Sequence, residues 1–180
     1  EQRNAELAII NSVQEGLASK LDIDGIYTLV GDKIREIFAA DTTYIALLDA
    51  STGSICAPYY IDRGVRPDTL LTPTPAWAPK FTGAGLSGAV IEAGKPLLLC
   101  TMEEQVAHGG IPVPSKTGVA DRNETFMGVP ILRDGRACGL VSLQSYRQNA
   151  YGESQVKLLG TLVNSMSVAL DNARLFDETQ

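Results

Sequence analysis

Apolar positions recur in steps of three and four over residues 4–21, at Leu7, Ile10, Val13, Leu17 and Leu21, which paints one stripe of a helix. Asp22-Ile23-Asp24-Gly25 interrupts the stripe, with Asp24 as the expected N-cap of a second helix. That helix carries Ile26, Leu29, Val30, Ile34, Ile37 and Phe38 and ends near Ala40. The period then shortens. Thr42 to Leu48 and Ile55 to Ile61 are runs rich in β-branched and aromatic residues around the turn signal Ser51-Thr52-Gly53, which predicts a β-hairpin. A short helix over Leu86–Ala93, closed by Gly94, and a short buried strand over Leu97–Cys100 follow. Thr125–Leu132 and Ala137–Ser145 flank Asp134-Gly135, a strong hairpin signal. Pro130 has no N–H for a ladder, so its strand should lie at an edge or carry a bulge.

From Glu153 onward, Val156, Leu159, Val163, Met166, Leu170 and Ala173 form an a/d seam of about three heptads, which predicts pairing with another helix in a homodimer. A helix lying on a sheet carries a similar stripe. Two segments show no regular period. Asp62–Gly85 holds four prolines together with Trp77 and Phe81, and Thr101–Glu124 holds His108-Gly109-Gly110. Loops longer than about 15 residues in a compact domain are usually functional, and the aromatics predict that the first folds back over something. Hairpins require antiparallel pairing, so the class is α+β, an antiparallel sheet with helices on one face. One domain over 1–180 is expected: N-terminal helices at 1–40, sheet, short helix and pocket loops at 42–145, and a C-terminal helix at 153–180 continuing as a linker. Glu1 and Gln180 read as cuts from something longer.

Composition narrows the partners. With 44% apolar and 20% charged residues the chain is ordinary for a soluble globular domain. No apolar run approaches the ~18 residues of a membrane span, so no membrane contact is expected. Fifteen basic against 21 acidic residues leave a net charge of -6. Lys116, Arg122, Arg133, Arg136 and Arg147 are scattered as a solvated face, which argues against nucleic acid. Three cysteines, Cys56, Cys100 and Cys138, cannot complete a disulfide framework, and a reducing, cytoplasmic location is expected.

The candidate chemistry is sparse. Gly83-Ala84-Gly85-Leu86-Ser87-Gly88 fits GxGxxG but follows a proline-rich stretch rather than a strand, so a turn-and-packing role is the expectation. The single histidine, His108, lacks the companions a metal site needs. Cys56 and Cys138 fall in strands and should pack as small hydrophobes. Cys100 ends a strand at the mouth of a loop, where a reactive thiol would require a neighbouring cation.

Phe126 to Gln144, with Val129-Pro130-Ile131-Leu132, Asp134-Gly135 and Gly139-Leu140-Val141, resembles the central hairpin of a GAF domain. Gly85–Val90 with Gly94-Lys95-Pro96, and Ala169–Phe176, resemble that family's short helix and closing helix. The resemblance covers nearly the whole chain. It implies a GAF/PAS-like antiparallel sheet of five or six strands, and a sensory module whose two long loops roof a pocket. The chain ends are similar to GAF repeats strung in tandem in bacterial signalling proteins, whose outputs are commonly histidine kinases or nucleotide cyclases. The Asn-Lys pair of cyclic-nucleotide-binding members and the Cys-His dipeptide of bilin-binding members are missing. Neither bilin nor haem is therefore expected, and the ligand is left open.

The leading expectation is thus a regulatory domain, not an enzyme, that binds a small molecule and signals through its terminal helices to neighbouring domains. Tyr59, Trp77, Phe81, Leu86, Cys100, His108 and Phe126 are the expected pocket residues, because an apolar body with a few polar tips suits such a site. A ligandless dimerisation module is the alternative, and a thiol reductase using Cys100 the third reading.

Overall fold

The computed structural model describes residues 2–19, 22–49, 51, 53–65, 85–110 and 123–179. Helices α1 (Gln2–Ala18) and α2 (Ile23–Phe38) open the chain. Asp22, rather than Asp24, caps α2: its extended backbone lets the carboxylate accept the Gly25 N–H, while Asp24 sits in the first turn, where its charge favours the helix dipole. Strands β1 (Thr42–Asp49) and β2 (Ser54–Asp62) form the first hairpin. Helix α3 (Gly85–Ala93), strand β3 (Leu97–Leu99) and helix α4 (Met102–Ala107) come next. The second hairpin, β4 (Thr125–Arg133) and β5 (Arg136–Ser145), leads to the long helix α5 (Glu153–Thr179).

The five strands pair antiparallel in the order β2-β1-β5-β4-β3. Pro130 lies on β4 beyond the short stretch where β3 pairs with Phe126 to Gly128, so among the described residues no strand on that side calls for its missing N–H. The ladder shifts register just after it, between Ile131 and Leu132.

The three long helices share one face, as expected. Ile45, Tyr59, Met127, Val129, Val141 and Leu143 point into a core completed by Val13 and Leu17 of α1, Ile26, Val30 and Ile34 of α2, and the stripe of α5. Leu159, Val163, Met166, Leu170 and Ala173 are all buried in this core, with Val156 packed at its edge. The seam expected to pair with a second chain is therefore consumed by the chain's own sheet and helices. A sheet-packed helix and a coiled coil both need apolar residues every third or fourth position, and the pattern does not say which partner is present. The opposite face carries a smaller cluster in which Val90 and Ile91 of α3 cover Ala46, Leu99, Phe126 and Leu140. Helix α3 thus lies on the far side from the long helices, where the sequence reading placed all helices on one face.

Helix α4 falls where a loop was expected. Thr101 caps it, its hydroxyl accepting the Glu104 N–H at 3.2 Å, and Glu104 reaches back to the Cys100 N–H at 2.6 Å. Among the described residues no helix is long and apolar enough to cross a membrane.

Candidate functional site: a polar floor beside the third helix

Side chains alternate across a pleated sheet, so each strand places every second residue on the α3 side. Toward the β1 start that face stops being apolar. Thr42 pairs with Asp62 and Gln144, and Tyr44 with Tyr60 and Ser142, so these six side chains form adjoining rows on three strands. The rings of Tyr44 and Tyr60 lie 5.8 Å apart and 15° from parallel. The Tyr44 hydroxyl is 2.7 Å from Ser87 Oγ in the first turn of α3, which ties the helix to the floor. Burial raises the Tyr44 pKa, against the opposing effect of hydrogen bonds with Ser87 and Ser142. Tyr60 is pushed up to about 12, by burial first and then by the negative charge of Asp62.

Asp62 is 4% exposed, and one of its oxygens accepts both the Thr42 hydroxyl at 3.0 Å and the Tyr146 hydroxyl at 2.6 Å. A left-handed pair, Arg63 (φ 48°) and Gly64 (φ 75°), turns the chain so that Asp62 bridges to Val65. The Arg63 N–H donates to the Asp41 carbonyl at 2.8 Å, and its guanidinium rests 4.3 Å above the Tyr146 ring. Left-handed backbone is uncommon outside glycine, asparagine and aspartate, so an arginine there is held by its surroundings.

The segment joining β5 to α5 is stitched to the bases of both long loops. Asp41 accepts the Tyr146 N–H at 2.9 Å. The Thr125 hydroxyl donates to the Arg147 carbonyl at 2.6 Å and accepts the Ala150 N–H at 3.2 Å. The Asn149 N–H donates to the Cys100 carbonyl at 2.9 Å. Gln105, buried, donates to the Asn123 and Glu124 carbonyls at 3.1 and 2.7 Å. With the Tyr146 hydroxyl on Asp62, hydrogen bonds thus join the base of each long loop to the segment entering α5.

Of the expected pocket residues, Leu86 and Phe126 lie on the α3 face with the floor. Tyr59 does not: it is buried on the helix face, its ring against Gly31 and its hydroxyl donating to Asp32 at 2.7 Å. Its neighbour Tyr60 takes the opposite side, as strand geometry requires. Cys100 and His108 stand at the two ends of α4, His108 exposed with Nδ1 3.3 Å from the Glu104 carbonyl. Trp77 and Phe81 lie outside the described residues. Tyr44, Tyr60, Asp62, Ser87, Ser142, Gln144 and Tyr146 were not singled out in the sequence, although polar or aromatic residues at alternate strand positions were their visible signal.

The cysteines are all free. Burial, and then Glu104, push the Cys100 thiol up, away from the reactive thiolate. Cys56 pairs with Leu47 of β1, and Gly139, beside Cys138, pairs with the same residue. The two thiols are thus separated by about two strand spacings, roughly 9.6 Å, too far for a disulfide. Among the described residues no group of three or more His, Cys, Asp or Glu is gathered for a metal ion. A separate depression of about 400 Å³ opens at the β4–β5 turn, lined by Leu48, Arg133, Asp134, Arg136, Ala137 and Cys138. It lies six residues along β1 from Thr42, about 20 Å at strand rise, and lacks the buried polar atoms of the floor.

A five-stranded antiparallel sheet carries three long helices on one face and the short helix α3 on the other. The GAF domain family model matches residues 20–171, and the chain belongs to that family. Its fold is similar to that of the GAF domain of an Acinetobacter phosphoenolpyruvate-protein phosphotransferase, at TM-score 0.77 and 16% identity over 96% of both chains. It is also similar to the free methionine-R-sulfoxide reductase of Neisseria meningitidis, solved with its substrate (TM-score 0.75, 14% identity, 97% of this chain and 93% of that one). Residues 122 to 287 of a methyl-accepting chemotaxis protein match at TM-score 0.70 and 13% identity, over 93% of this chain and 99% of that one.

Proposed function

We propose that the chain is a sensory domain that binds a small molecule on the polar floor and reports it through α5. The observation that carries this reading is the placement of the floor. Buried hydroxyls, an amide and a carboxylate meet an aromatic pair between the bases of two long loops, and those bases are hydrogen-bonded to the segment entering α5. Polar groups withdrawn from water in this way fix the orientation of a ligand rather than strengthen a core. The output lies in another domain of a cytoplasmic signalling protein of the tandem-GAF type, a histidine kinase or a nucleotide cyclase. Similarity to a chemotaxis protein and to a phosphotransferase supports a signalling setting.

A ligand acts only through its different affinity for two arrangements of the loops and α5, a coupling of about 1–3 kcal/mol. Screening a metabolite library by thermal shift, with hydrogen exchange on the hits, tests this. The expected result is a stabilising ligand that slows exchange over residues 145–152. Hits that leave this segment unchanged, or no hit from nucleotides, amino acids and aromatic compounds, overturn it.

A second reading, a ligandless dimer relay, draws on apolar residues exposed on α1 and α5: Leu7, Val168, Leu175 and Phe176. A thiol reductase, suggested by the Neisseria neighbour, finds no lowered thiol pKa among the three cysteines. Methionine sulfoxide turnover that disappears in Cys100→Ser would restore it.

A further inference from the structure

We propose that the depression at the β4–β5 turn is a second binding site, for an oxyanion, carboxylate or phosphate, carried on a small apolar body. Strand pairing opens it. β4 pairs with β5 as far as Arg136, whereas β1 pairs with β5 only as far as Gly139 and itself runs on to Asp49 beside β2. A notch is left between the end of β1 and residues 136–138. Leu48, Ala137 and Cys138 line this space of about 400 Å³ together with Arg133, Asp134 and Arg136. Two features set the notch in place. Gly139 brings β5 so close to β1 that a Cβ there would run into the Ala46 carbonyl oxygen. Cys138 is the extra residue of a bulge, since Ile131 pairs with Gly139 and Leu132 with Ala137, and a bulge bends its strand and re-aims the side chains beside it.

Arg133 and Arg136 face each other directly across the turn, so their side chains leave the same side of the hairpin, with Cβ atoms about 5 Å apart. Like charges so placed repel. Arg133 has one carboxylate near it, Asp171 of α5 at 4.0 Å, and Arg174 holds that same carboxylate more closely, at 3.2 Å. The Arg136 guanidinium has no partner among the described residues. Asp49, next to Leu48, is not part of the lining, and its carboxylate accepts the Ser51 N–H and hydroxyl. The lining thus holds two guanidiniums against one carboxylate, Asp134, a positive spot on a chain of net charge -6. An oxyanion between Arg133 and Arg136 relieves their repulsion and accepts forked N–H donors from both, while Leu48 and Ala137 offer apolar surface to the body it is attached to. The site stands apart from the polar floor, and neither reading depends on the other.

Four probes separate the possibilities: phenyl phosphate, sodium benzoate, benzyl alcohol and inorganic phosphate, each titrated into the 180-residue chain while the amide NMR signals of residues 48 and 136–138 are followed. Phenyl phosphate or benzoate is expected to move these signals to saturation, and the tighter of the two names the oxyanion. That probe should bind about fivefold or more tightly than benzyl alcohol, the upper end for an exposed ion pair, and its affinity should fall as sodium chloride is added. Arg136→Gln should weaken it about fivefold without changing benzyl alcohol, and Asp134→Asn, which suits the same left-handed turn, should strengthen it. If Arg136→Gln fails to fold by circular dichroism, the salt dependence and Asp134→Asn decide. Benzyl alcohol binding as tightly as the anions, anion affinity unmoved by Arg136→Gln, or signals at 136–138 that stay still at millimolar phenyl phosphate and benzoate overturn the proposal. Inorganic phosphate binding as tightly as phenyl phosphate overturns the apolar body.

Discussion

Replacing Gly31 by alanine tests the packing that sets α2 on the sheet. A Cβ built at Gly31 falls 2.5 Å from three ring atoms of Tyr59, inside any real carbon–carbon contact. The ring has no easy retreat, because Tyr59 is 1% exposed and its hydroxyl is held by Asp32, the residue after the glycine. Either α2 lifts from β2 or the ring leaves its rotamer and stretches that bond. Overpacking of this kind costs about 1–3 kcal/mol, and a weakened hydrogen bond adds about 1 kcal/mol. Alanine returns up to about 1 kcal/mol through its better helix propensity. The net expectation is a loss of about 1–3 kcal/mol, measured as the midpoint of urea unfolding. Gly160 supplies the control, since a Cβ there meets nothing within 4 Å. Gly160→Ala should therefore show the propensity gain alone, about 1 kcal/mol of added stability. Pairing Gly31→Ala with Tyr59→Leu should recover part of the loss. A Gly31→Ala chain as stable as the wild type would refute the close approach of α2 to Tyr59.

The Tyr151 hydroxyl is buried without a partner among the described residues, on a side chain only 7% exposed. Tyr151→Phe is thus expected to be neutral or to raise stability by up to about 1 kcal/mol in thermal unfolding, and a loss above that range would show a hidden partner. Tyr60 and Tyr151 are both held protonated to about pH 12, against an ordinary value near 10. Between those pH values the unfolded chain loses protons that the fold retains, so stability is intact below pH 10 and falls as pH rises toward 12. Tyr60→Phe should flatten that decline, and parallel Tm–pH curves for mutant and wild type would contradict it. In α5, Leu159→Ala should destabilise the fold by about 2–5 kcal/mol, because Leu159 lies in the chain's own core. Exchanging Leu175 and Phe176, 60% and 43% exposed, for alanine should leave stability nearly unchanged and weaken any self-association seen by sedimentation.

What the sequence disclosed follows from where local signals are strong. Both hairpins, the three long helices and the short helix before Gly94 were legible because period and turn chemistry agree at those places. Gly94 adopts φ 63°, and Asp134-Gly135 takes φ 53° and 77°, the left-handed turn that an Asp-Gly pair favours. Helix α4 was passed over as loop because six residues show too little periodicity, although Thr101-x-x-Glu104 is the pattern of a capping box. The cap of α2 shifted by two residues because Asp22 and Asp24 both qualify chemically, and only the backbone geometry chooses between them.

The side of the sheet that Tyr59 takes comes down to one parity. Tyr59 and Tyr60 are adjacent and chemically alike, yet β2 sends one into the helix-packed core and the other onto the polar floor. The distinction was available from the hairpin alone. Ile45 pairs with Tyr59 and Tyr44 with Tyr60, so a strand whose Ile45, Tyr59, Ile61, Val141 and Leu143 share one side must set Thr42, Tyr44, Tyr60, Asp62, Ser142 and Gln144 on the other. A carboxylate, an amide and three hydroxyl types at one end of the sheet cost desolvation that apolar side chains avoid, and hydrogen bonds such as those to Asp62 offset only part of it. Their confinement to one end of one face, next to the bases of both long loops, is the observation on which the proposed binding role rests. Phe126 and Leu86 fell on this side because their segments continue the same surface, and Leu99, Val90 and Ile91 seal its apolar half. If Thr42→Val, Ser142→Ala and Gln144→Leu each left the chain as stable or more so while abolishing binding of the same small molecule, the floor's polarity would be tied to recognition. A uniform loss of stability with binding retained would assign it to the fold instead.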